Sequence, residues 1–466
     1  MNWIQGASSL ESISFKKRLS PLAPTGWHAQ PALTQSSSYV YVPSASGILH
    51  AFSKSTGEEA WAYVPGFAAP LAAASALHSS PNSFILDSSP IIVSLSDNSR
   101  ILVSGGSLSS TGFFALDITS EAAQSSEDLA KKVLWEFPNA STPSSTKNLI
   151  GQSFYPPTYM KSPSMGDVIA IPGGYNSSSS HQATLFLLNA KTGQLLKTIQ
   201  ASGPNSGPSG ISQLTAPVSP SNFSTIAYAG DINGNLYRFD IEAGSAQHIA
   251  SLTDPSGTPQ PITTPPDTTQ YLGKTLITVG TGRLNHPFDT KSSITQAIYA
   301  FFDPTQLSPF APISTSSLTK ITTTGSTAIN PASQAPYSWS TSSPSNKCWF
   351  ITLPPGHHIS SQTTIAGGFV NSNSTLIPTG SSCLSGSASF AINILNPASY
   401  SPLPDPYASS MGVSLSGTLS APTLVRTASG TIRAISQSRD NPLVNRTIAQ
   451  SPGSALSITA KKRPIH

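Results

Sequence analysis

Charged side chains are scarce in this sequence, because Asp, Glu, Lys and Arg together account for 9% of its 466 residues. The chain also lacks any run of about 18 apolar residues, the length that a membrane-spanning helix requires. Its first residues, MNWIQGASSL, contain no apolar core of the kind found in secretory signals. A basic cluster, KKR, lies at residues 461–463 near the end of the sequence. We interpret this cluster as a solvated tail, so we expect no nucleic-acid partner. Because no apolar run is long enough, we expect no transmembrane segment.

Cysteine is equally scarce, with only Cys348 and Cys383 in the whole chain. This pair could close one disulfide, which the chain-entropy account values at roughly 3–4 kcal/mol for a loop of this size. The sequence alone does not show whether the bond forms. Two cysteines without a set of accompanying His or Cys ligands do not match a zinc site.

Catalytic motifs are absent as well, since no G-x-S-x-G or H-E-x-x-H pattern occurs. The segment VGTGRLN, which starts at Val279, lacks the third glycine and the helix of a dinucleotide site, so we interpret it as a strand-end turn. The adjacent His357 and His358 follow PPG, and we predict that they lie in a loop. Three aspartates each end a predicted strand and are expected to accept turn N–H groups: Asp117, Asp240 and Asp303.

Turn formers and short alternating apolar stretches are abundant, with 41 Pro and 33 Gly. The clearest example is AYAGDINGNLYRFDI, in which two alternating arms flank a polar turn. This pattern predicts a β-hairpin. Asn233 and Gly234 are expected to supply the positive φ angles of a tight primed turn. Asp231 and Asn235 are expected to cap that turn through side-chain bonds to backbone N–H groups.

Similar strand–turn–strand units recur seven times, at spacings of about fifty to ninety residues, and indicate radial repetition. We therefore predict a single all-β, seven-bladed β-propeller with long loop insertions. Two β-sandwiches are the competing architecture. The predicted divisions are an irregular lead-in (1–30), the propeller (31–452) with a Ser/Thr/Pro-rich excursion from its body (304–346), and a basic tail (453–466). The units begin at Tyr39, Ile101, Val168, Ala227, Thr275, Cys348 and Ala421.

A more specific sequence motif occurs within these units: a T-G turn that precedes a strand with a large residue. Gly57 and Gly193 can adopt the left-handed conformation that such a turn needs. Trp61 and Trp135 are expected to wedge between neighbouring blades. The phrase resembles the repeat of quinoprotein-like propellers, and it specifies fold better than function.

Four longer segments resemble, in order, the C-terminal propeller of the PilC/PilY-type proteins of type IV pili: GILHAFSKSTGEEAWAYVP, AYAGDINGNLYRFDI, VGTGRL and CWFITLPPG. The resemblance covers roughly Tyr39 to Tyr400. It implies a secreted or surface-exposed factor, associated with the pilus or with the outer-membrane surface, that acts in pilus assembly, control of retraction, adhesion and twitching motility. Implied partners are pilin or minor pilin subunits, and host or abiotic surfaces.

One departure from that family concerns calcium. The family usually carries a loop of alternating aspartates before its Y-A-G-D phrase, whereas the stretch from Pro217 to Thr225 has no carboxylate here. Because calcium requires six to eight oxygen ligands, several of them charged, we predict that this site is lost. Asp231, Asn233, Asn235 and Glu242 imitate the spacing of a calcium loop, but the glycine is misplaced, and we assign them to the hairpin instead. No cofactor is expected.

Two other function classes share the repeat phrase. A quinone-dependent dehydrogenase would hold its cofactor on the propeller axis, but the adjacent Cys-Cys pair and C-x-x-C-H motif carried by some of these enzymes are missing. An outer-membrane protein-assembly scaffold would use the same fold, but VGTGRL and CWFITLPPG favour the pilus family. We therefore predict a non-enzymatic protein.

Overall fold

The structure is a computed structural model, and it describes residues 29–76, 85–175, 182–284, 294–324, 328–331, 348–377, 386–394 and the strands within 412–448, apart from a few single residues. The predicted tail lies outside the described residues, as does nearly all of the lead-in. No helix in the described part of the chain is long and apolar enough to cross a membrane.

The first three sheets are antiparallel and follow one another along the chain. Sheet 1 contains β1 (Tyr39–Pro43), β2 (Leu49–Ser53) and β3 (Glu59–Tyr63). Sheet 2 contains β4 (Ile91–Ser94), β5 (Arg100–Gly105), β6 (Phe113–Asp117) and β7 (Val133–Phe137). Sheet 3 contains β8 (Thr158–Ser162), β9 (Gly166–Pro172), β10 (Ala183–Asn189) and β11 (Leu195–Ala201).

The next two sheets begin in the same way and each gains a later strand. Sheet 4 contains β12 (Ile226–Gly230), β13 (Asn235–Asp240) and β14 (Ser245–Ser251), with β18 (Ile313–Ser314) added at its edge. Sheet 5 contains β15 (Asp267–Tyr271), β16 (Lys274–Gly280), β17 (Ala297–Phe302) and β22 (Trp349–Thr352), with β19 (Thr319–Ile321) added.

The last two sheets complete the described strands. Sheet 6 contains β20 (Thr323–Thr324), β21 (Ala328–Pro331), β23 (His357–Ile359), β24 (Thr364–Ala366), β25 (Phe369–Leu376), β26 (Gly386–Asn393) and β27 (Gly412–Ser416). Sheet 7 contains β28 (Thr423–Arg426), β29 (Ile432–Ser436) and β30 (Val444–Ile448). The helices are short and lie in connections: α1 (Ala69–Ala76), α2 (Ser126–Lys132), α3 (Ser144–Lys147) and two 3-10 turns (Pro304–Gln306 and Thr315–Ser317).

Consecutive sheets pack face to face through apolar clusters. Five clusters join sheets 1 to 6 pairwise in chain order, so sheets 2 to 5 bury both faces. This explains why a strand such as β10, ATLFLLN, is apolar along its length rather than alternating. Such stacking is that of a β-propeller, so the predicted fold is confirmed, while the number of blades stays a prediction. Each cluster contains residues of both sheets, for example Leu49 and Leu102, Phe137 and Phe186, Leu185 and Phe239, Ile249 and Tyr299, and Trp349 and Phe390.

Two assignments made from the sequence were wrong. The segment CWFITL was placed in the sixth unit, but it forms β22, which pairs with β17 in sheet 5 across a long insertion. That insertion is not an excursion from the body of the fold. Its described strands pair with the body, because β18 adds to β14, β19 adds to β22, and β21 adds to β27. Edge strands leave backbone N–H and C=O groups unpaired, and the insertion supplies partners for them.

The connections between strands alternate between two ends of the sheet stack. The short-turn end carries tight turns such as residues 190–194, between β10 and β11, and residues 241–244, between β13 and β14. The long-loop end carries the longer connections, among them residues 202–214 and 252–266. Hydrogen bonds join the connections of adjacent sheets at the long-loop end, for example Gly174 N–H to the Ile211 carbonyl (2.8 Å) and Gly282 N–H to the Pro261 carbonyl (2.8 Å).

Large side chains on the last strands dock onto the following sheet. Trp135 donates its Nε1–H to the Ala190 carbonyl (2.9 Å), and its ring lies where a Cβ on Gly193 would fall, 2.4 Å from Trp135 Cγ. Gly193 is left-handed (φ +69°), so the bare glycine meets both the turn geometry and the close approach of the ring. Similar indole bonds run from Trp61 to Glu121 O (3.0 Å) and from Trp349 to Ile394 O (3.1 Å).

Sheet 3 uses a lysine at this position. Lys197 follows Gly193 by the same four-residue spacing that separates Trp61 from Gly57, which is also left-handed (φ +77°). The Lys197 amino group donates to the Ile241 carbonyl of sheet 4 (3.2 Å). A long side chain with a terminal donor therefore replaces the indole, and the same sheet-to-sheet link is retained.

Candidate functional site

The hairpin between β12 and β13 is organised by one buried carboxylate. Asp231 has no exposed surface, and its Oδ1 accepts the N–H groups of Asn233 and Asn235, both at 2.9 Å. Its Oδ2 accepts the Asn235 side-chain amide (2.9 Å) and the Tyr237 hydroxyl (2.8 Å). Burial raises the pKa of Asp231, and these four donors oppose that shift by stabilising the ionised form.

The turn itself differs from the predicted primed turn. Of its two candidate residues only Gly234 is left-handed (φ +74°), and Gly234 N–H donates to the Asp231 carbonyl (3.3 Å). Asp231 N–H in turn donates to the Asn235 carbonyl (2.9 Å). This is a three-residue loop closed by a glycine bulge. The prediction of a primed turn was wrong because the Asp231 side chain closes the loop, so Asn233 does not need a positive φ.

The same hairpin holds the neighbouring connections at the long-loop end. Asn205 donates its side-chain amide to the Asn233 carbonyl (2.9 Å), and Asn235 donates to the Asn205 carbonyl (3.2 Å). Ile262 N–H donates to the Asp231 carbonyl (2.9 Å). The Y-A-G-D phrase is therefore a structural clamp that fixes the loops before and after sheet 4.

The calcium-like spacing in this hairpin is not brought together in space. Glu242 lies at the short-turn end, beyond the whole of β13, whereas Asp231 lies at the long-loop end. Its two carboxylate oxygens accept the hydroxyls of Ser162 and Ser164, both at 2.5 Å, which links sheets 3 and 4. Burial alone would raise the pKa of Glu242, but the hydrogen bonds from the two serines outweigh it, so the pKa is lowered.

Residues 217–225 do not offer calcium ligands either. They form a turn in which Ser219 N–H donates to the Phe223 carbonyl (2.8 Å) and Asn222 N–H donates to the Ser219 carbonyl (2.9 Å). The segment contains hydroxyls and one amide but no carboxylate. The residues present therefore do not fit a hard divalent cation. Across the described part of the chain, no cluster of three His, Cys, Asp or Glu side chains could hold a metal ion.

This turn instead presents apolar surface, which the sequence analysis missed. Val218 is 56% exposed and Phe223 is 37% exposed, and they flank the Ser219–Asn222 turn at the short-turn end. Leu272, 56% exposed, occupies the β15–β16 turn of the adjacent sheet at the same end. The sequence did carry a signal for this surface. Two large apolar residues, Val218 and Phe223, stand beside a polar turn and outside any alternating stretch.

The three strand-ending aspartates have the structural role that was predicted. Each accepts a turn N–H two or three residues later, in bonds to Thr119, Ala243 and Thr305 of 2.8–2.9 Å. Asp303 is fully buried and also accepts the Tyr228 hydroxyl (2.5 Å), with Arg238 Nε at 3.4 Å. Burial, together with the Asp303 charge, raises the pKa of Tyr228, so the phenol stays protonated and serves as a hydrogen-bond donor.

The histidine pair was placed wrongly by the sequence analysis. His357 and His358 lie in β23 and are both buried, not in a loop. The PPG segment before them makes the turn, and pairing with β25 extends the strand to include them. His357 Nδ1 lies 2.8 Å from the Ser374 hydroxyl, while Arg283 N–H donates to His358 Nδ1 (3.3 Å). Burial lowers the pKa of His357 to about 4, so it is neutral at physiological pH.

Only one of the two cysteines of the predicted disulfide belongs to the described residues. Cys348 is buried immediately before β22. Cys383 lies outside the described residues. The bond between them stays a prediction.

Comparison with known proteins gives consistent results. A family model described as the PilY1 beta-propeller domain matches residues 8–249, just over half of the chain. The type IV pilus biogenesis factor PilY1 of Pseudomonas aeruginosa (strain UCBPP-PA14) is 27% identical over 329 residues, covering 61% of this chain and 27% of that protein. A type IV pilus biogenesis factor PilY1 homolog of Xylella fastidiosa is 26% identical over 272 residues, covering 57% of this chain and 21% of that protein.

Among solved structures, the C-terminal domain of Pseudomonas aeruginosa PilY1 superposes with a TM-score of 0.67 at 20% sequence identity. The match covers 88% of this chain and 92% of that chain, and it shows a shared fold. The chain spans about a quarter of the length of the curated relatives that it matches.

Proposed function

The chain belongs to the PilY1 β-propeller family, and from this premise we propose that it is a non-enzymatic assembly or tip factor in type IV pilus biogenesis. The observation that carries the proposal is the family match over residues 8–249. Relatives named as type IV pilus biogenesis factors support it. Control of retraction, adhesion and twitching motility, and a location outside the cell, belong to the same proposal.

The proposal assigns the chain a role in recognition rather than chemistry. The acids and histidines described above are engaged by hydroxyls or by backbone N–H groups that hold turns and sheets together. A quinone-dependent dehydrogenase and an outer-membrane assembly scaffold are not proposed, because relatives found by sequence carry the name of pilus biogenesis factors.

The predicted loss of the calcium site leads to a direct expectation. Millimolar calcium is expected to leave the melting temperature of the purified chain unchanged, because no carboxylate lies between residues 217 and 225 to bind it. Differential scanning fluorimetry in calcium and in chelator measures this. A rise of several degrees that the chelator reverses would contradict the predicted loss of calcium binding.

We assign partner binding to the exposed apolar residues at the short-turn end. Val218 and Phe223 lie in the connection that leads into sheet 4, and Leu272 lies in a turn of sheet 5. Full burial of a wholly exposed side chain of this kind contributes about 1.5–3 kcal/mol, and these partly exposed side chains would contribute a share of it. The segment that carries Val218 and Phe223, residues 217–225, contains three serines, one threonine and no charged residue, which suits an apolar patch on a pilin-like subunit.

A complementation experiment tests the function and this surface together. In cells lacking the chain, the wild-type gene is expected to restore surface pili and twitching. A chain with Val218→Ser and Phe223→Ser is expected to restore much less, because the apolar contact is lost. Leu33→Ser is the matched control, since Leu33 is similarly exposed (40%) but precedes sheet 1. Melting temperatures of all three proteins establish that they fold equally well.

The two parts of the proposal fail differently. If cells lacking the chain keep normal pili and twitching, the pilus function is wrong. If the double variant restores both phenotypes as well as Leu33→Ser does, the function stands and the surface assignment is wrong.

A further inference from the structure

Sheet 6 differs from sheets 2 to 5, because only one of its faces belongs to an apolar cluster in the described part of the chain. Sheet 6 has one apolar face, in which Val370, Phe390 and Ile392 pack against sheet 5. Side chains alternate across a sheet, so residues next to these along β25 and β26 lie on the opposite face. That face carries the polar residues Asn371, Asn373, Ser387 and Ser389, and beside them the apolar residues Phe369 and Ala391.

This polar face is nevertheless buried, and it faces sheet 7. Asn371 and Ser387 are each 1% exposed. The Asn373 side-chain amide donates to the hydroxyl of Ser436 on β29 (2.7 Å), which places sheet 7 against this face. A buried surface of amides and hydroxyls is costly unless its polar atoms find hydrogen-bond partners.

Among the residues that the structure describes, two of these polar atoms find no hydrogen-bond partner: Asn371 Oδ1 and the Ser387 hydroxyl, which are both buried. These two residues are too far apart to bond to each other. Asn371 is paired with Ala391 on β26, and Ser387 lies four residues before Ala391 on the same strand. A dry contact would cost about 1–3 kcal/mol for each unsatisfied group. A buried water typically supplies two to four hydrogen bonds to such groups, at roughly the energy of a direct bond.

We propose that the seam between sheets 6 and 7 is hydrated, with ordered water bonded to Asn371 Oδ1 and to the Ser387 hydroxyl, and that the propeller opens first at this seam. Opening an apolar contact re-exposes hydrocarbon at about 25 cal/mol per Å². Opening a polar, hydrated contact exchanges one set of water hydrogen bonds for another. Sheet 7 therefore separates from sheet 6 while the contacts within sheets 1 to 6 remain closed, as a partly independent cooperative unit.

Native-state hydrogen exchange on the purified full chain tests the opening. Amides of β29 and β30 are expected to exchange at least tenfold faster than those of β9 and β10, which lie between two apolar clusters. Equal protection of the two groups would overturn the proposal.

A double variant tests the hydration. Asn371→Leu with Ser387→Ala removes both unpartnered atoms, and it is expected to slow exchange in β29 and β30 several-fold. Ser372→Ala is the matched control, because Ser372 is equally buried and unpartnered but lies on the face toward sheet 5. It is expected to leave exchange in sheet 7 unchanged. Unchanged or faster exchange in the double variant, or equal slowing in the control, would overturn the assignment of water to this seam.

Discussion

Trp135→Ala is expected to lower the free energy of unfolding by about 3–5 kcal/mol, the range for removing a buried Trp side chain. The indole joins sheets 2 and 3, where it packs in a shared cluster with Phe186 and donates to the Ala190 carbonyl. Alanine leaves a cavity and an unpaired carbonyl. Denaturant unfolding at neutral pH measures the loss, and a loss under about 1 kcal/mol would contradict the docking role.

Two glycines provide a matched test of the same contact. Gly193→Ala places a Cβ 2.4 Å from Trp135 Cγ and strains a left-handed turn. Gly57→Ala has the same backbone strain (φ +77°) but no described atom within 4 Å. Gly57→Ala is expected to cost about 1–2 kcal/mol from strain alone, and Gly193→Ala about 1–3 kcal/mol more from overpacking. Equal costs would mean that the ring does not rest on this turn.

Asp231→Ala is expected to destabilise the chain by about 3–5 kcal/mol, because each buried donor that loses its acceptor costs about 1–3 kcal/mol. The carboxylate accepts four hydrogen bonds, and alanine leaves the Asn235 and Tyr237 donors buried without an acceptor. Thermal and denaturant unfolding give the magnitude. Hydrogen exchange should show the largest loss of protection in residues 202–214 and 252–266, which this hairpin holds.

Asp240→Ala is the control within the same hairpin. Asp240 ends β13 and accepts one exposed bond, from Ala243 N–H (2.8 Å). Its loss is expected to cost about 0.5–1.5 kcal/mol. If both variants cost the same, the burial of Asp231 does not set the strength of its network.

The fold could be predicted from sequence largely because each sheet repeats local chemistry. The T-G turn and the residue four positions later depend on one hairpin and its neighbour, so Gly57, Trp61 and Gly193 were identifiable. Trp135 follows no T-G turn and was identifiable as the large residue on the last strand of its unit. Lys197 occupies the same spacing but was missed, since the expectation was for an aromatic ring rather than for a long side chain with a terminal donor.

Long-range pairing was less predictable. The strand β22 is separated from its partner β17 by more than forty residues, and CWFITL carries no local sign of which sheet it joins. The added strands β18 and β19 contain two and three residues, too few for a periodic pattern. The strands of sheet 6 alternate polar and apolar residues, a pattern that predicts one exposed face. The polar face is buried because sheet 7 lies against it.

The central claim is that this chain acts at the type IV pilus. Quantifying the protein in pili sheared from cells, with and without the major pilin gene, tests that claim most directly. We predict that the chain co-purifies with sheared pili and disappears from that fraction when pilin is absent. Equal amounts in the two fractions, or none in the pilus fraction of piliated cells, would contradict it.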